Sequence, residues 1–579
     1  MSPLRRLFHY LKRHRASLLA GFACILVSGA FSLAKPMIVG NAVNDLVKVV
    51  TRGTLIRYGL LLIGVAAVEG LFLFLQRRII VGASRRIEFE MRNDFYDHLL
   101  KLPVRYYQEQ RTGDLMSRAT SDIGGVRMLV GPAVMYTVNS LIIVSGAFTM
   151  MIRIDTTLAL ISLAAVPIVA VLVKTFGEKI HIRYKAVQDY FGDISARVQE
   201  NLAGVRVVRA FGQEANEREI FGRMNREYVN RNRAQIRLTA TFYPLLHGLI
   251  GTMFGIVFLL GSRRMLSGQL SIGDFVALQF YLGRMIWPLI ALGWVINLYQ
   301  RGMASMVRLH EVWSIPPDVL RDAGTPVEEA PRGDIDIRDL TFAYDNAATL
   351  RNINLQVQSG ETVGIVGRTG SGKSTLLALI TRTFEPPPET IFIDGRPLES
   401  IPLRQLREWI GMVPQETFLF SESIAENVRF GRDTASPDEV TESTDLAGLT
   451  SDVASFPQGL ETVIGERGIT LSGGQKQRTA IARALVREPT ILILDDALSA
   501  VDTATEERIL SALRDIRKGR TVLIVSHRVS SVKDADHIIV LDEGKIVERG
   551  THDTLLAHDG YYADLYRRQT LEEELEETA

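Results

Sequence analysis

A glycine-rich segment at residues 367–374 has the residue types that cradle phosphate groups. Glycines let backbone N–H groups approach an anion closely, a lysine adds positive charge beside the β- and γ-phosphates, and a serine hydroxyl can bind Mg²⁺. An apolar run at 362–366 precedes the segment and a helix-like run at 375–380 follows it, which favours a strand, loop and helix over a chance glycine turn. The sequence therefore predicts an ATP and Mg²⁺ site. Its expected contacts are Gly367, Arg368, Thr369, Gly370, Ser371, Gly372, Lys373, Ser374 and Thr375.

Two adjacent aspartates follow a second apolar run, at residues 491–494. That run has the length and composition of a buried strand, and Asp495 stands at its end. A carboxylate in this place holds Mg²⁺ through the hydration shell of the ion, as in other phosphoryl-transfer sites. Ser374 and Asp495 are therefore two predicted metal anchors.

A pentapeptide between these two anchors, Leu471-Ser472-Gly473-Gly474-Gln475, resembles the signature of the ABC ATPases. Other segments match the order of motifs in that family, and the resemblance extends over essentially the whole chain. The matching positions are Tyr344, Gln415, Gly465-Glu466-Arg467-Gly468, Ser499-Ala500-Val501-Asp502 and His527.

Taken one at a time, these residues also fit ordinary structural roles. Gln415 is then a hydrogen-bonding loop residue, Tyr344 a half-buried strand aromatic, and His527 a satisfied polar residue at a strand end. The family resemblance implies instead that Tyr344 stacks on adenine and that Gln415 reaches the metal site and links it to the membrane domain. It also implies that His527 and Asp502 sense the state of the nucleotide.

The resemblance implies that each ATP site is completed across a dimer. The phosphate-binding loop of one subunit would hold ATP against Ser472, Gly473, Gly474 and Gln475 of the other. Small side chains in the signature leave backbone N–H groups exposed, and such groups bind anions well. One chain therefore offers half of two different sites.

Asp496 stands where the family carries a catalytic glutamate that orients the attacking water. The side chain of aspartate is one methylene shorter, by roughly 1.5 Å, and a displacement near 1 Å can cost about a hundredfold in rate. Because the two side chains have similar acidity, reach is the property that changes. We predict a slow site here and a non-identical partner that carries glutamate, as in bacterial heterodimeric ABC exporters with one degenerate site. A homodimer in which Asp496 suffices is the alternative.

The composition bounds the classes of partner. The chain has 579 residues, too many for one domain, and a formal net charge of +1, which gives no argument for nucleic acid. Its single cysteine, Cys24, excludes an internal disulfide. The residues after 570 form an acidic tail.

Six apolar stretches precede the ATPase half, each close to the roughly 20 residues that span hydrocarbon. The first is too long for a secretory signal and is expected to stay uncleaved. Arginines and lysines crowd the links after the second and fourth stretches, which predicts cytoplasmic N- and C-termini. The family resemblance implies that the membrane is the inner membrane of a bacterium. The predicted spans are 16–39, 55–80, 126–152, 156–176, 242–260 and 275–299.

The predicted fold is an all-α six-helix transmembrane domain fused to an α/β P-loop (RecA-like) ABC nucleotide-binding domain. We place the membrane domain at 1–315, a proline- and glycine-marked linker at 316–333, the ATP-binding domain at 334–570 and the tail at 571–579. Glycine breaks in the two long cytoplasmic links suit short transverse helices near 111–120 and 208–215. In ABC exporters these are coupling helices.

Ionisable residues inside spans are candidates for a substrate cavity, because a charge stranded in lipid is costly. Arg284 is the first candidate, with structural pairing to an acidic neighbour as its alternative role, and Glu69 and His247 follow. The expected function is ATP-driven export of hydrophobic or amphipathic solutes such as drugs, peptides or lipids. A soluble ATPase acting on nucleic acid conflicts with the membrane half, while a channel or regulator on the same fold stays open.

Overall fold

The computed structural model describes two compact units of the chain. It covers residues 2–317, 324, 326–344, 347–465, 471–499, 505, 506, 509, 511 and 520–577, without the side chains of 165, 166, 170, 289, 292, 347 and 572–577. One unit contains Met1–Leu102 and Tyr106–Pro316, and the other contains Pro103–Arg105 and Pro317–Ala579.

The first unit is helical. Its longest helices exceed the thickness of a bilayer, since 48 to 53 residues at 1.5 Å each extend for about 70–80 Å. The helices are α1 (Pro3–Arg13), α2 (Arg15–Lys48), α3 (Arg52–Leu99), α4 (Val104–Glu109), α5 (Thr112–Ser117), α6 (Ile123–Met128), α7 (Val134–Ile154), α8 (Thr156–Ala203), α9 (Val205–Ala210), α10 (Glu214–Leu266) and α11 (Ile272–Trp313).

Six helical segments in the described part of the chain are long and apolar enough to cross a membrane. Each contains one of the six predicted stretches, and the expected all-α membrane half is confirmed. The segments are Arg15–Lys48, Arg52–Leu99, Thr112–Ile154, Thr156–Ala203, Glu214–Leu266 and Ile272–Trp313.

The third of these segments is joined to α11 by an ion pair between Asp122, which is buried, and Arg308, which is partly exposed. Two π-helical turns, Arg118–Asp122 and Leu129–Ala133, interrupt it. In the first turn the Asp122 carboxylate accepts hydrogen bonds from the Arg308 guanidinium, at 2.9 Å from Nε, and from the Ser305 hydroxyl at 2.8 Å.

Backbone contact between glycines brings α2 and α11 close together. A Cβ atom on Gly273 would lie 1.9 Å from the carbonyl oxygen of Gly40, so only a residue without a side chain fits there. The Asn44 side chain accepts from the backbone N–H of Gly273 at 2.7 Å and donates to Ser271 Oγ at 2.9 Å. Small residues allow close helix packing inside a membrane.

The second unit is an α/β domain with two sheets. A four-stranded antiparallel sheet has the order β2-β1-β4-β5, and a six-stranded, mainly parallel sheet has the order β10-β9-β3-β8-β7-β6. The strands are β1 (Ile335–Tyr344), β2 (Ala347–Val357), β3 (Thr362–Gly367), β4 (Ile391–Ile393), β5 (Arg396–Pro397), β6 (Ile410–Val413), β7 (Ile491–Asp495), β8 (Thr521–Val525), β9 (His537–Asp542) and β10 (Lys545–Gly550).

Both faces of the six-stranded sheet are buried, as the continuous apolar runs of its parallel strands require. In β7, Leu492 and Leu494 point into one core with the helices, whereas Ile491 and Ile493 point into the other with the antiparallel sheet. The expected α/β P-loop domain is therefore confirmed. Its helices are α12 (Lys373–Ile380), α13 (Leu403–Trp409), α14 (Ile424–Arg429), α15 (Pro437–Leu446), α16 (Thr450–Ser455), α17 (Gly473–Leu485), α18 (His552–His558) and α19 (Tyr561–Glu577).

Candidate nucleotide-binding site

Four parallel strands end at one edge of the six-stranded sheet, and the predicted site residues follow them there. β3 leads into the glycine-rich loop, β7 ends at Asp495, Gln415 comes two residues after β6, and His527 comes two residues after β8. β8 lies between β3 and β7, so the loop and the aspartates flank the strand of His527. The carboxyl edge of a parallel sheet is the usual place for ligands.

Lys373 begins α12 and is held inside the glycine-rich loop. Its Nζ atom donates to the carbonyl oxygens of Gly367 and Arg368, at 2.9 Å each. Gly372, just before the helix, has a φ of 102°, and a Cβ there would lie 2.6 Å from Leu350 Cδ2. The position therefore requires glycine for two reasons, the positive φ of its backbone and the lack of space beside Leu350.

The loop has the chemistry that a triphosphate needs. The Ser371 hydroxyl oxygen is buried and has no hydrogen-bond partner within the described residues. Lys373 is also buried, and burial lowers the pKa of its ammonium, a shift that the charges of Asp495 and Asp496 oppose. Hydroxyl, ammonium and helix N-terminus together form an anion site. The residues fit ATP.

Ser374 and Asp495 form the core of the predicted metal site. The Ser374 hydroxyl donates to the Asp495 carboxylate. Burial raises the pKa of Asp495, and the Ser374 hydrogen bond and the charges of Lys373 and His527 oppose that rise. No cluster of three or more His, Cys, Asp or Glu side chains suited to a metal occurs among the described residues. A site with so few protein oxygens suits Mg²⁺, which keeps several waters and binds substrate phosphates.

Asp496 has a left-handed backbone, with a φ of 50°, and its peptide groups are anchored. Its N–H donates to the carbonyl of Val525 at 2.8 Å. Its carbonyl accepts from Ser499 Oγ at 2.9 Å and from Gln477 Nε2 at 3.4 Å. Aspartate tolerates this conformation better than most residues. The same conformation occurs at Glu488 in this chain, so the backbone does not exclude glutamate.

The loop after β8 is tied to the last helix. Gln569 of α19 donates from Nε2 to the carbonyl of His527 at 2.6 Å and accepts from the N–H of Val529 at 2.8 Å. The buried carboxylate of Glu506 accepts from Arg528 in the same loop at 3.1 Å. The loop that carries His527 is therefore fixed from both sides.

The signature segment forms the N-terminus of α17. Ser472 caps the helix, because its Oγ accepts from the N–H of Gln475 at 3.3 Å and its own N–H donates to Gln475 Oε1 at 2.9 Å. Gln475 Nε2 also donates to Asp452 at 2.8 Å. The Gln475 side chain thus holds the helix end, while the N–H groups of Gly473 and Gly474 lie in the first turn, where the helix offers them no partner.

Tyr344 lies at the end of β1 beside two other aromatic rings. Its ring meets Phe342 and Phe384 edge to face, with centroids 5.1 and 5.2 Å apart, and it stays partly exposed. Gln415 is exposed. Asp502 and residues 466–468 lie outside the described residues, and their expected roles stay predictions.

Comparison with known proteins places this arrangement in a family. Residues 18–289 match the family model of the ABC transporter transmembrane region, and residues 350–499 match the family model of the ABC transporter. The Bacillus subtilis protein YheI, a probable multidrug resistance ABC transporter ATP-binding/permease protein, is 37% identical over 98% of each chain. The chain belongs to the ABC transporter family.

Other relatives of this ABC transporter agree with that assignment. Multidrug resistance-like ATP-binding protein MdlA of Escherichia coli is 37% identical, covering 100% of this chain and 98% of its own. The ATP-dependent lipid A-core flippase of Syntrophus aciditrophicus is 33% identical, covering 100% and 96%. The solved structure of a bacterial Atm1-family ABC exporter with ATP bound has a TM-score of 0.76 to this chain at 27% identity. The match covers 96% of this chain and 98% of the exporter chain. The chain is thus an integral membrane protein of the ABC exporter type, and its general function is ATP-driven transport.

The membrane unit of the transporter brings two of the three cavity candidates together. Arg284 Nη1 lies 3.8 Å from Glu69 Oε1 and donates to Ser32 Oγ at 2.8 Å. Lys35 pairs with the same Glu69 carboxylate. His247 is exposed on α10 and has no contact with this group among the described residues.

Sequence reasoning did not identify several residues that support the site. Gln569, Glu506 and Gln477 act through contacts between segments far apart in the chain, and no local pattern marks them. Lys35 of α2 is not among the predicted cavity residues, yet it pairs with Glu69. Lys35 lies 20 residues into the apolar helix α2, and a charge at that depth in a sequence indicates a paired or functional residue.

Proposed function

We propose that this chain is one half of a heterodimeric ABC exporter whose own ATP site hydrolyses slowly. The dimer moves hydrophobic or amphipathic solutes out of the cytoplasm. One observation carries the proposal: Asp496 stands at the catalytic position on a peptide anchored at both its N–H and its carbonyl. Because these hydrogen bonds oppose a shift of the backbone toward the nucleotide, we expect the missing methylene to stay uncompensated.

The described residues support a division of roles at the site. Lys373 and the loop N–H groups hold the phosphates, and Tyr344 offers an aromatic face to adenine. Ser374, Asp495 and Gln415 hold Mg²⁺, which balances the phosphate charge when bound. His527, fixed by Gln569, contacts the terminal phosphate. This site therefore acts mainly as an ATP-dependent clamp.

The signature supports a partner across the nucleotide. Ser472 Oγ uses an acceptor position to cap α17, so its hydroxyl proton is left to donate. Together with the first-turn N–H groups of Gly473 and Gly474 it forms an anion-binding surface. In the assembled dimer this surface completes the ATP site of the partner, which carries the competent glutamate.

The short helices α5 and α9 are candidates for the predicted coupling helices. Among the residues Val205–Ala210 of α9 none is buried, and Phe211, which follows this helix, is 75% exposed. This side chain is therefore available for contact with another protein surface. We assign α9 and α5 as the coupling helices that carry closure of the ATPase domains into the membrane.

ATP binding drives the conformational cycle because each nucleotide contacts both subunits. It therefore favours the closed arrangement over the open one by its difference in affinity. Closure turns a cavity from the cytoplasmic side to the outside, and hydrolysis at the partner's site resets it. The names of the multidrug and lipid-flipping relatives support a hydrophobic or amphipathic solute.

The proposal is tested by measuring steady-state ATP turnover. The samples are the purified chain, a homologous half-transporter that carries glutamate at the position of Asp496, and the two together. We expect slow turnover by this chain alone and fast turnover by the mixture. Fast turnover by this chain alone, in a symmetrical dimer, would support the homodimer instead. ATP-dependent accumulation of a dye in vesicles, abolished by a non-hydrolysable analogue, separates export from a gated leak.

A further inference from the structure

Three ionisable side chains from three helices meet inside the membrane unit. Glu69 of α3 lies between Lys35 of α2, which pairs with it, and Arg284 of α11, whose Nη1 is 3.8 Å from Glu69 Oε1. Arg284 also donates to the neutral hydroxyl of Ser32. We call Lys35, Glu69 and Arg284 the charged triad.

The charges of the triad do not balance. Two permanent or near-permanent cations share one carboxylate, which leaves one positive charge over. Polar neighbours along the α2 and α3 contact are neutral: Ser28 Oγ donates to Gln76 Oε1 at 3.1 Å. The described residues give the triad no second carboxylate.

The triad lies at membrane depth. Arg284 is twelve residues from the start of α11, or about 18 Å along the helix. Glu69 is seventeen residues from the start of α3, about 26 Å. Both positions fall inside apolar segments that span a membrane. An excess charge there requires a counter-charge or water.

The excess charge is on the accessible side of the triad. The Glu69 side chain is 9% exposed, whereas those of Lys35 and Arg284 are 25% and 39% exposed. The carboxylate thus lies behind the two cations. A guanidinium does not face hydrocarbon, so the exposed part of Arg284 borders a polar space. Trp287, three residues further on, is exposed on nearly the same helix face and offers an apolar ring.

We propose that the charged triad binds the anionic group of an amphiphilic solute, with Trp287 against its apolar part. The proposal rests on the proposed export function and names its substrate class: amphiphiles with a carboxylate or phosphate. Arg284 and Lys35 bind the anion, and Glu69 offsets one of their two positive charges.

Binding of matched probes to the full-length chain in phosphatidylcholine nanodiscs tests this. The probes are 11-(dansylamino)undecanoic acid and its neutral amide, followed by energy transfer from tryptophan to dansyl. We expect the wild type to prefer the acid. Arg284→Gln should weaken acid binding by at least about tenfold, since hydrogen bonds to charged groups are strong, and should leave amide binding within about twofold.

Two further variants separate binding from structure. Glu69→Gln raises the excess charge, so we expect acid binding to be retained or strengthened, whereas a purely structural triad predicts that both probes bind less well. Lys174→Gln, in the fourth span and outside the triad, removes one membrane cation and should change neither probe. Equal binding of acid and amide to the wild type would overturn the proposal, as would parallel weakening of both by Arg284→Gln.

Nanodiscs that contain phosphatidylglycerol identify the source of the anion. Competition with the acid probe points to an anionic membrane lipid, and a lack of competition points to a free amphiphile. Failure of the export proposal is visible separately, as a lack of ATP-driven uptake of both the acid and its neutral amide by vesicles containing the dimer. Uptake of that amide without acid preference would leave export intact and remove only the anion site.

Discussion

Replacing Gln569 by alanine should release the loop that carries His527. The side chain makes two hydrogen bonds to this loop, at 2.6 Å to the carbonyl of His527 and at 2.8 Å from the N–H of Val529. Neutral hydrogen bonds contribute about 1 kcal/mol each, so the loss is about 2 kcal/mol, or roughly thirtyfold in the population of the released loop. Both contacts come from one residue in α19, which otherwise stays folded.

Hydrogen exchange measured by mass spectrometry checks this directly. In Gln569→Ala the backbone amide of Val529 should exchange roughly thirtyfold faster, because protection follows the local opening equilibrium. Arg568→Ala is the matched control: Arg568 is the preceding residue, and within the described part of the chain it pairs with Asp564 of its own helix, at 2.7 Å. Unchanged protection of the Val529 amide in Gln569→Ala would refute the role of Gln569 in holding the loop. Equally faster exchange of that amide in both variants would indicate that the helix had unfolded.

Three further outcomes follow from the two units. Lys373→Ala should lower ATP affinity by at least about tenfold, because the residue supplies the buried cation of the loop; isothermal titration with a matched folding check measures it. Burial raises the pKa of Asp495. As the pH is lowered, the ATP affinity measured with Mg²⁺ should therefore begin to fall at a higher pH than it would with an ordinary aspartate. A parallel fall of the ATP affinity measured without Mg²⁺ would contradict this. Gly273→Ala should destabilise the membrane unit by about 1–3 kcal/mol, because the added Cβ clashes with the carbonyl oxygen of Gly40. The loss is measured as a shorter half-life of the folded protein at fixed temperature. Gly283→Ala on the same helix is the control and should not shorten it, since the nearest atom to its Cβ is 3.8 Å away.

The fold could be predicted from sequence because its signals are local. A run of about 20 apolar residues has few structural solutions, and a glycine loop between an apolar strand and a helix has few chemical ones. The order of motifs then places Lys373, Asp495 and His527 at one sheet edge, as the strand order β3-β8-β7 requires.

Residues that depend on long-range contacts could not be predicted. Gln569 reaches a loop 42 positions earlier, and nothing near it in the chain marks that partner. Arg284 shows the same limit: its depth in an apolar helix indicates a functional or paired charge, but only the packing of α2, α3 and α11 shows two cations on one carboxylate. The left-handed backbone of Asp496 is equally invisible in the sequence, because aspartate is common in ordinary loops too.

We propose that Asp496 limits hydrolysis at this chain's own ATP site through its short side chain. The most direct test is ATP turnover by Asp496→Glu in a dimer whose partner is disabled at its own phosphate-binding loop. Since glutamate restores the missing reach, we expect turnover to rise by about a hundredfold, with Asp496→Asn at or below the wild-type rate. A glutamate variant that binds ATP normally and turns it over no faster than the wild type would contradict the account.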